Sequence, residues 1–170
     1  ERGEHLISSG RSTQVLALLK PYGTHHGSPS MRATLAGLQG QAQLFVGNLD
    51  EALGYFEVAV ESYEEIDMGP VERRRAANIA RQVGRIYGMR DDFDRAHAFM
   101  RHGLAWLAGP ATRADKEVAA LLHTHTGSLY VWQDRYDDAE QSCQQALALL
   151  GSLLERAGHA EVFMVLGVIC

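Results

Sequence analysis

Residues 40–60 read GQAQLFVGNLDEALGYFEVAV, and their pattern returns as GRIYGMRDDFDRAHAFMRHGL over 84–104 and as GSLYVWQDRYDDAEQSCQQAL over 127–147. In each copy a glycine precedes an alanine by twelve residues: Gly40 and Ala52, Gly84 and Ala96, Gly127 and Ala139. The alanine closes an Asp-x-Ala triplet that follows an apolar residue, Leu49, Phe93 or Tyr136. Seven residues further stands another small residue, Ala59, Gly103 or Ala146, followed by Val60, Leu104 or Leu147. Tyr87 and Tyr130 take the third place after the glycine in the later copies, and Gln43 takes it in the first. Gly3 and Gly167 open partial copies at the two ends, so the markers are spaced by 37, 44, 43 and 40 residues.

A recurrent glycine inside a helical pattern needs a reason, because it costs about 1 kcal/mol relative to alanine there. Close helix approach supplies one: small residues let two helices meet, and larger neighbours fill the grooves around them. Leu49, Ala52, Leu53, Phe56, Ala59 and Val60 recur at three and four residues, which is one face of a helix. Each copy therefore reads as a pair of antiparallel helices, with the residue after the turn (Leu49, Phe93, Tyr136) plugging the gap between them. The periodicity predicts helices over 1–9, 12–20, 31–46, 49–66, 71–89, 92–108, 112–132, 135–157 and 159–170. Residues 21–30, PYGTHHGSPS, hold two prolines and two glycines and read as a loop within the array. Gly69-Pro70 and Gly109-Pro110 read as turns between repeats.

The glycine-to-alanine spacing, the apolar residue before Asp-x-Ala and the small residue seven further on resemble the tetratricopeptide repeat. Gly40/Ala52/Phe56/Ala59 fits it well, and Gly84/Tyr87/Ala96/Gly103 and Gly127/Tyr130/Ala139/Ala146 nearly as well. The repeats are longer than the usual 34 residues, and the closing proline is absent or late, as at Pro110. Repeats extended in this way are similar to those of bacterial signalling ATPases and large transcriptional activators. The resemblance implies an all-α fold, a right-handed superhelical solenoid of antiparallel helix pairs. It would form one array over 1–170: a partial repeat over 1–20, the loop over 21–30, repeats over about 31–69, 70–110 and 111–157, and a partial repeat over 158–170.

Composition agrees with such a chain. Of 170 residues, 46 % are hydrophobic, enough for a continuous core, and prolines number four. Sixteen basic against twenty-one acidic residues leave a net charge of −5, which offers no global attraction to nucleic acid or anionic lipid. No apolar run is long enough for a membrane span. Cys143 and Cys170 form no CxxC pair and read as reduced thiols of a cytoplasmic protein. The start at Glu1 and the apolar end over 162–170 read as cut ends, and the last helix as a patch through which a dimer would form.

Catalytic motifs are missing: there is no HExxH, P-loop, GxSxG or dinucleotide fingerprint. The expectation is therefore no catalytic, cofactor-binding or metal residues and no enzyme activity. His123 and His125 are two apart and point about 200° apart on a helix, so they do not converge on one ion. His97 and His102 are five apart and are no zinc pair either. Cys143, Tyr87, Tyr130 and Tyr136 read as repeat core, and the acidic run over 61–67 as a solvated helix face.

In the resembled family the outward faces of the first helices line a groove that holds partners. Carried over by the glycine register, the groove positions are Gln41, Leu44 and Phe45 in the first full repeat. They are Arg74, Asn78, Arg81, Arg85 and Met89 in the second, and Thr124, His125, Ser128, Val131 and Trp132 in the third. Arg74, Arg81 and Arg85 share one helix face by their spacing. Arginine engages carboxylates bidentately, and Trp, Phe and Met add apolar area. The expected partner is an acidic or amphipathic protein segment or peptide, with no direct contact to nucleic acid or membrane. The alternative for the arginines is pairing with neighbouring acids. The function implied is that of a protein-interaction or scaffolding module, the regulatory arm of a larger bacterial-type signalling or transcription-regulating protein. The alternative is a domain whose groove senses a small-molecule inducer.

Overall fold

The computed structural model describes residues 12–19, 27–107, 109, 111–151 and 164–165. All regular structure among them is helical. The helices are α1 Ser12–Leu19, α2 Pro29–Val46, α3 Leu49–Glu64, α4 Pro70–Gly88, α5 Phe93–Leu107, α6 Arg113–Trp132 and α7 Tyr136–Leu150. The helices expected over 1–9 and most of 159–170, with the dimer patch placed there, lie outside the described residues. Two units are described separately, residues 1–72 and 73–170.

In the first unit α2 packs along α3 and also against α1. Ser28 caps α2 by accepting the Met31 N–H at 3.3 Å, and Pro29 takes the first helical place, where its missing N–H is no loss. The loop expected over 21–30 is thus corrected at its end: Pro29 and Ser30 belong to the helix. The chain leaves α2 at Gly47, whose φ of 88° suits glycine, with Asn48 N–H donating to the Gln43 carbonyl. The same ending recurs in the second unit. Asp91 and Asp134, seven residues after Gly84 and Gly127, have φ of 59° and 58°, a conformation that aspartate tolerates better than most side chains. The Asp92 and Arg135 N–H groups donate to the carbonyls of Tyr87 and Tyr130. Three repeats therefore turn in one way, with glycine in the first and aspartate in the others.

The marker glycines sit where the helices meet. A Cβ on Gly40 would lie 2.5 Å from the Phe56 ring, one on Gly84 2.9 Å from Met100 Cε, and one on Gly127 3.1 Å from Cys143 Sγ. In each repeat the close neighbour is the residue sixteen positions on, four after the marker alanine. Phe56, Met100 and Cys143 are fully buried, as are Ala52, Ala96 and Ala139. Gly103 repeats the device between neighbouring pairs, its missing side chain making room for Leu122 of α6. Cys143 lies among Ala120, Ala146 and Leu150, and burial pushes its thiol pKa up, so it is core. Tyr87 is core too, stacked on Phe99 with ring centroids 5.7 Å apart. Tyr136, expected in the repeat core, lies outside it. It is 45 % exposed and donates its hydroxyl to Asp134, because it begins α7 on the outer side of the turn and plugs no gap.

Candidate functional site

Two helices of the second unit build the candidate groove. Arg74, Asn78, Arg81, Arg85 and Met89 run along one face of α4 and just past its end, and Leu121, His125, Ser128 and Trp132 run along a face of α6. Both sets follow three- and four-residue steps. The two faces meet in successive rungs. At the first, Arg74 Nη1 lies 3.0 Å from Asp115 Oδ1. Asp115 is buried and also caps its own helix: it accepts the Thr112 N–H at 3.0 Å, while its own N–H donates to Thr112 Oγ1. Hydrogen bonds from Thr112, and then the Arg74 guanidinium, hold its carboxyl below the usual carboxylate range.

At the second rung Arg81 Nη1 approaches His125 Nδ1 at 3.5 Å. The same nitrogen lies 2.8 Å from the Leu121 carbonyl, so Nδ1 carries the hydrogen and donates it there, leaving Nε2 as the acceptor. Arg81 then acts on the ring through its charge. Burial, with the nearby charges of Arg81 and Arg85, pushes the His125 pKa down to about 3, and the ring is neutral at ordinary pH.

Beyond this rung the helices open into a cup of about 190 Å³ lined by Arg85, His125, Ser128, Leu129 and Trp132. Gly88 makes the approach feasible, since a Cβ there would strike Leu129 and touch the Trp132 ring at 3.0 Å. Arg85 donates to Gln82 Oε1 at 3.0 Å on its own helix. Trp132 is 52 % and Met89 59 % exposed, which leaves apolar area beside the cup.

The structure thus brings Arg85, His125, Ser128 and Trp132 together. Arg74 is instead paired with an acid. Asn78 and Val131 are half-buried, and Thr124 is 3 % exposed, with its hydroxyl bonded to the Ala120 carbonyl, so it does not reach the surface. Gln41, Leu44 and Phe45 belong to the first unit. Gln41 and Leu44 are half-buried, and Phe45 is 65 % exposed on the same helix as exposed Met31 and Val46. Asp115 escapes sequence reasoning because its partner lies 41 residues away.

The opposite side of α6 carries a second concavity. His123 and Tyr130 of α6, His97 and Arg101 of α5, and Gln141 and Gln145 of α7 line a cleft of about 240 Å³, floored in part by Met100 and Leu104. The divergence of His123 from His125 expected on a helix is realised here. Among the described residues no three His, Cys, Asp or Glu side chains are placed to hold a metal ion. Nor is any helix there long and apolar enough to cross a membrane.

No family model and no curated protein matches the sequence. Solved structures do. BtubC (BKLC) from P. vanneervenii superposes with a TM-score of 0.76 at 19 % identity, covering 98 % of this chain and 68 % of that one. The assembly chaperone of RpL4 (Acl4, residues 1–338) matches with a TM-score of 0.39 at 14 % identity, covering 99 % and 82 %, too low a score to carry an argument. At this identity the likeness to BtubC establishes the fold alone, all-α and solenoid-like, built from packed neighbouring helix pairs.

Proposed function

We propose that the chain is an array of tetratricopeptide-like repeats that binds an acidic, amphipathic segment of another protein along the α4/α6 face. The observation that carries this reading is the cup of Arg85, His125, Ser128 and Trp132. It offers a guanidinium for a carboxylate, a neutral imidazole nitrogen as acceptor, and an exposed indole for an apolar side chain. Arg74 contributes no free charge, since Asp115 takes it up, and the available positive charge is concentrated at Arg85. A regulatory arm of a larger cytoplasmic signalling or transcription-regulating protein is the setting that fits a sequence without an HExxH, P-loop, GxSxG or dinucleotide fingerprint.

The test is capture of protein partners by the chain and by two surface variants, Arg85→Glu and Trp132→Ala, read by mass spectrometry. Arg81 is left intact, because reversing a half-buried charge beside His125 would test folding. A partner retained by the parent chain and lost with both variants, at unchanged helicity, supports the reading. A partner retained equally by all three overturns the assignment of the site.

A further inference from the structure

The cleft between α5, α6 and α7 has a chemistry of its own, independent of the proposed groove. Three helix stripes form it: His97, Met100, Arg101 and Leu104; His123, Thr126 and Tyr130; and Asp138, Gln141, Ser142 and Gln145. The steps of three and four residues place each set on one face. Its volume of about 240 Å³ equals roughly eight waters at about 30 Å³ each, room for a small metabolite and too little for a helix.

The lining has more open donors than acceptors. Asp138, its one carboxylate, is already held by Arg135, with Nη2 at 2.7 Å and Nε at 2.8 Å from Oδ2. The Ser142 and Thr126 hydroxyls donate to the Asp138 and Leu122 carbonyls within their own helices. Gln133 Nε2, which also donates to the Leu129 carbonyl, donates to His97 Nε2 at 2.9 Å, so the neutral His97 carries its hydrogen on Nδ1. No described residue hydrogen-bonds to the His123 ring, the Gln141 and Gln145 amides or the Arg101 guanidinium. Burial lowers the pKa of both histidines, so Arg101 supplies the cleft's uncompensated charge. Tyr130, held between the His97 ring at 4.5 Å and the Arg135 guanidinium at 4.5 Å, forms a fixed wall.

We infer that this cleft binds a small organic carboxylate, its anionic end on Arg101 and its remaining oxygens on the His123 ring and the Gln141 and Gln145 amides. Charge-assisted hydrogen bonds to a carboxylate are the strong contacts such a donor set offers. Met100 and Leu104 accommodate a short apolar chain.

The experiment is a titration of the full chain, with histidine side-chain nitrogens observed by NMR. Succinate is the probe, with glucose and matched sodium chloride as controls. Saturable shifts at His123 and His97 at millimolar succinate are expected, with His125 unmoved. Arg101→Gln, an exposed position, should raise the succinate Kd at least tenfold, and Gln141→Ala with Gln145→Ala several-fold. Absence of a saturable shift, an equal response to chloride, or an unchanged Kd in Arg101→Gln would overturn the site. A response to glucose without one to succinate would overturn the anion assignment.

Discussion

His123 and His125 stand two residues apart on α6 and meet opposite conditions. On the His125 side several polar groups pair with one another. Arg74 pairs with Asp115, the His125 ring donates to Leu121, and Arg85 holds Gln82. On the His123 side the ring and the facing glutamines have no partner among the described residues, although the ring is half-buried. The first face is organised before anything binds, apart from its open cup; the second is a set of donors around a space. Helix geometry alone separates them, because a two-residue step turns about 200°. A face with internal pairs contributes to stability, whereas the exposed Arg101, Gln141 and Gln145 of the other exchange water for a ligand.

The largest effect should come from the residue that seats α6 between these faces. In Gly127→Leu the new side chain meets Cys143 Sγ and the Ala139 carbonyl. Overpacking of this kind costs about 1–3 kcal/mol, and the melting temperature should fall while binding at the two proposed sites weakens together. Loss of one face alone would show that they are not built on one packed helix. Next comes Asp115→Ala, which removes a cap and the partner of a half-buried arginine at a cost of about 1–2 kcal/mol near neutral pH. The folded pKa of Asp115 is depressed, so this stabilisation is present above its unfolded value of about 3.8 and lost as pH falls through the folded value. Parent and variant should converge in strong acid, a point checked by urea melts across pH.

How far the sequence foretold these features depends on whether the cause is local. Gly40, Gly84 and Gly127 announced the close approaches, because glycine inside a helical period has a cost that packing must explain. The positions Arg85, His125, Ser128 and Trp132 come from the groove of the resembled repeat, carried over by the glycine register. Thr124 lies in the core and not in the groove because one residue turns a helix by about 100°. Asp115 was missed because pairing across 41 residues leaves no local trace. Tyr136 departs from the plug role expected of Leu49 and Phe93 because a tyrosine at the start of α7 finds a partner in nearby Asp134. For the second cleft the signal was present as polar stripes on α5 and α7 with the spacing of one helix face, which single pairs of histidines do not reveal.

Two smaller effects sharpen the contrast between the histidines. The folded pKa of His125 is about 3 against an unfolded 6.5. The unfolded chain therefore binds the proton first, and stability falls as pH drops below about 6.5. The slope from this group approaches at most about 1.4 kcal/mol per pH unit. His125→Gln should flatten the stability profile between pH 6.5 and 4; an unaltered profile would mean that the ring is not held neutral by burial and Arg81. His123→Gln, which breaks no hydrogen bond to a described residue, should change stability at pH 7 by no more than about 0.5 kcal/mol. A larger loss in a melting curve would show that this ring has a structural partner.

Docking of a partner on the α4/α6 face, as proposed, is open to test by backbone and indole NMR shifts on addition of a captured partner segment. Perturbation is expected at Arg85, Ser128 and the Trp132 indole, with the outward positions of α7 unmoved. Shifts concentrated on α7, with the Trp132 indole unchanged, would contradict it.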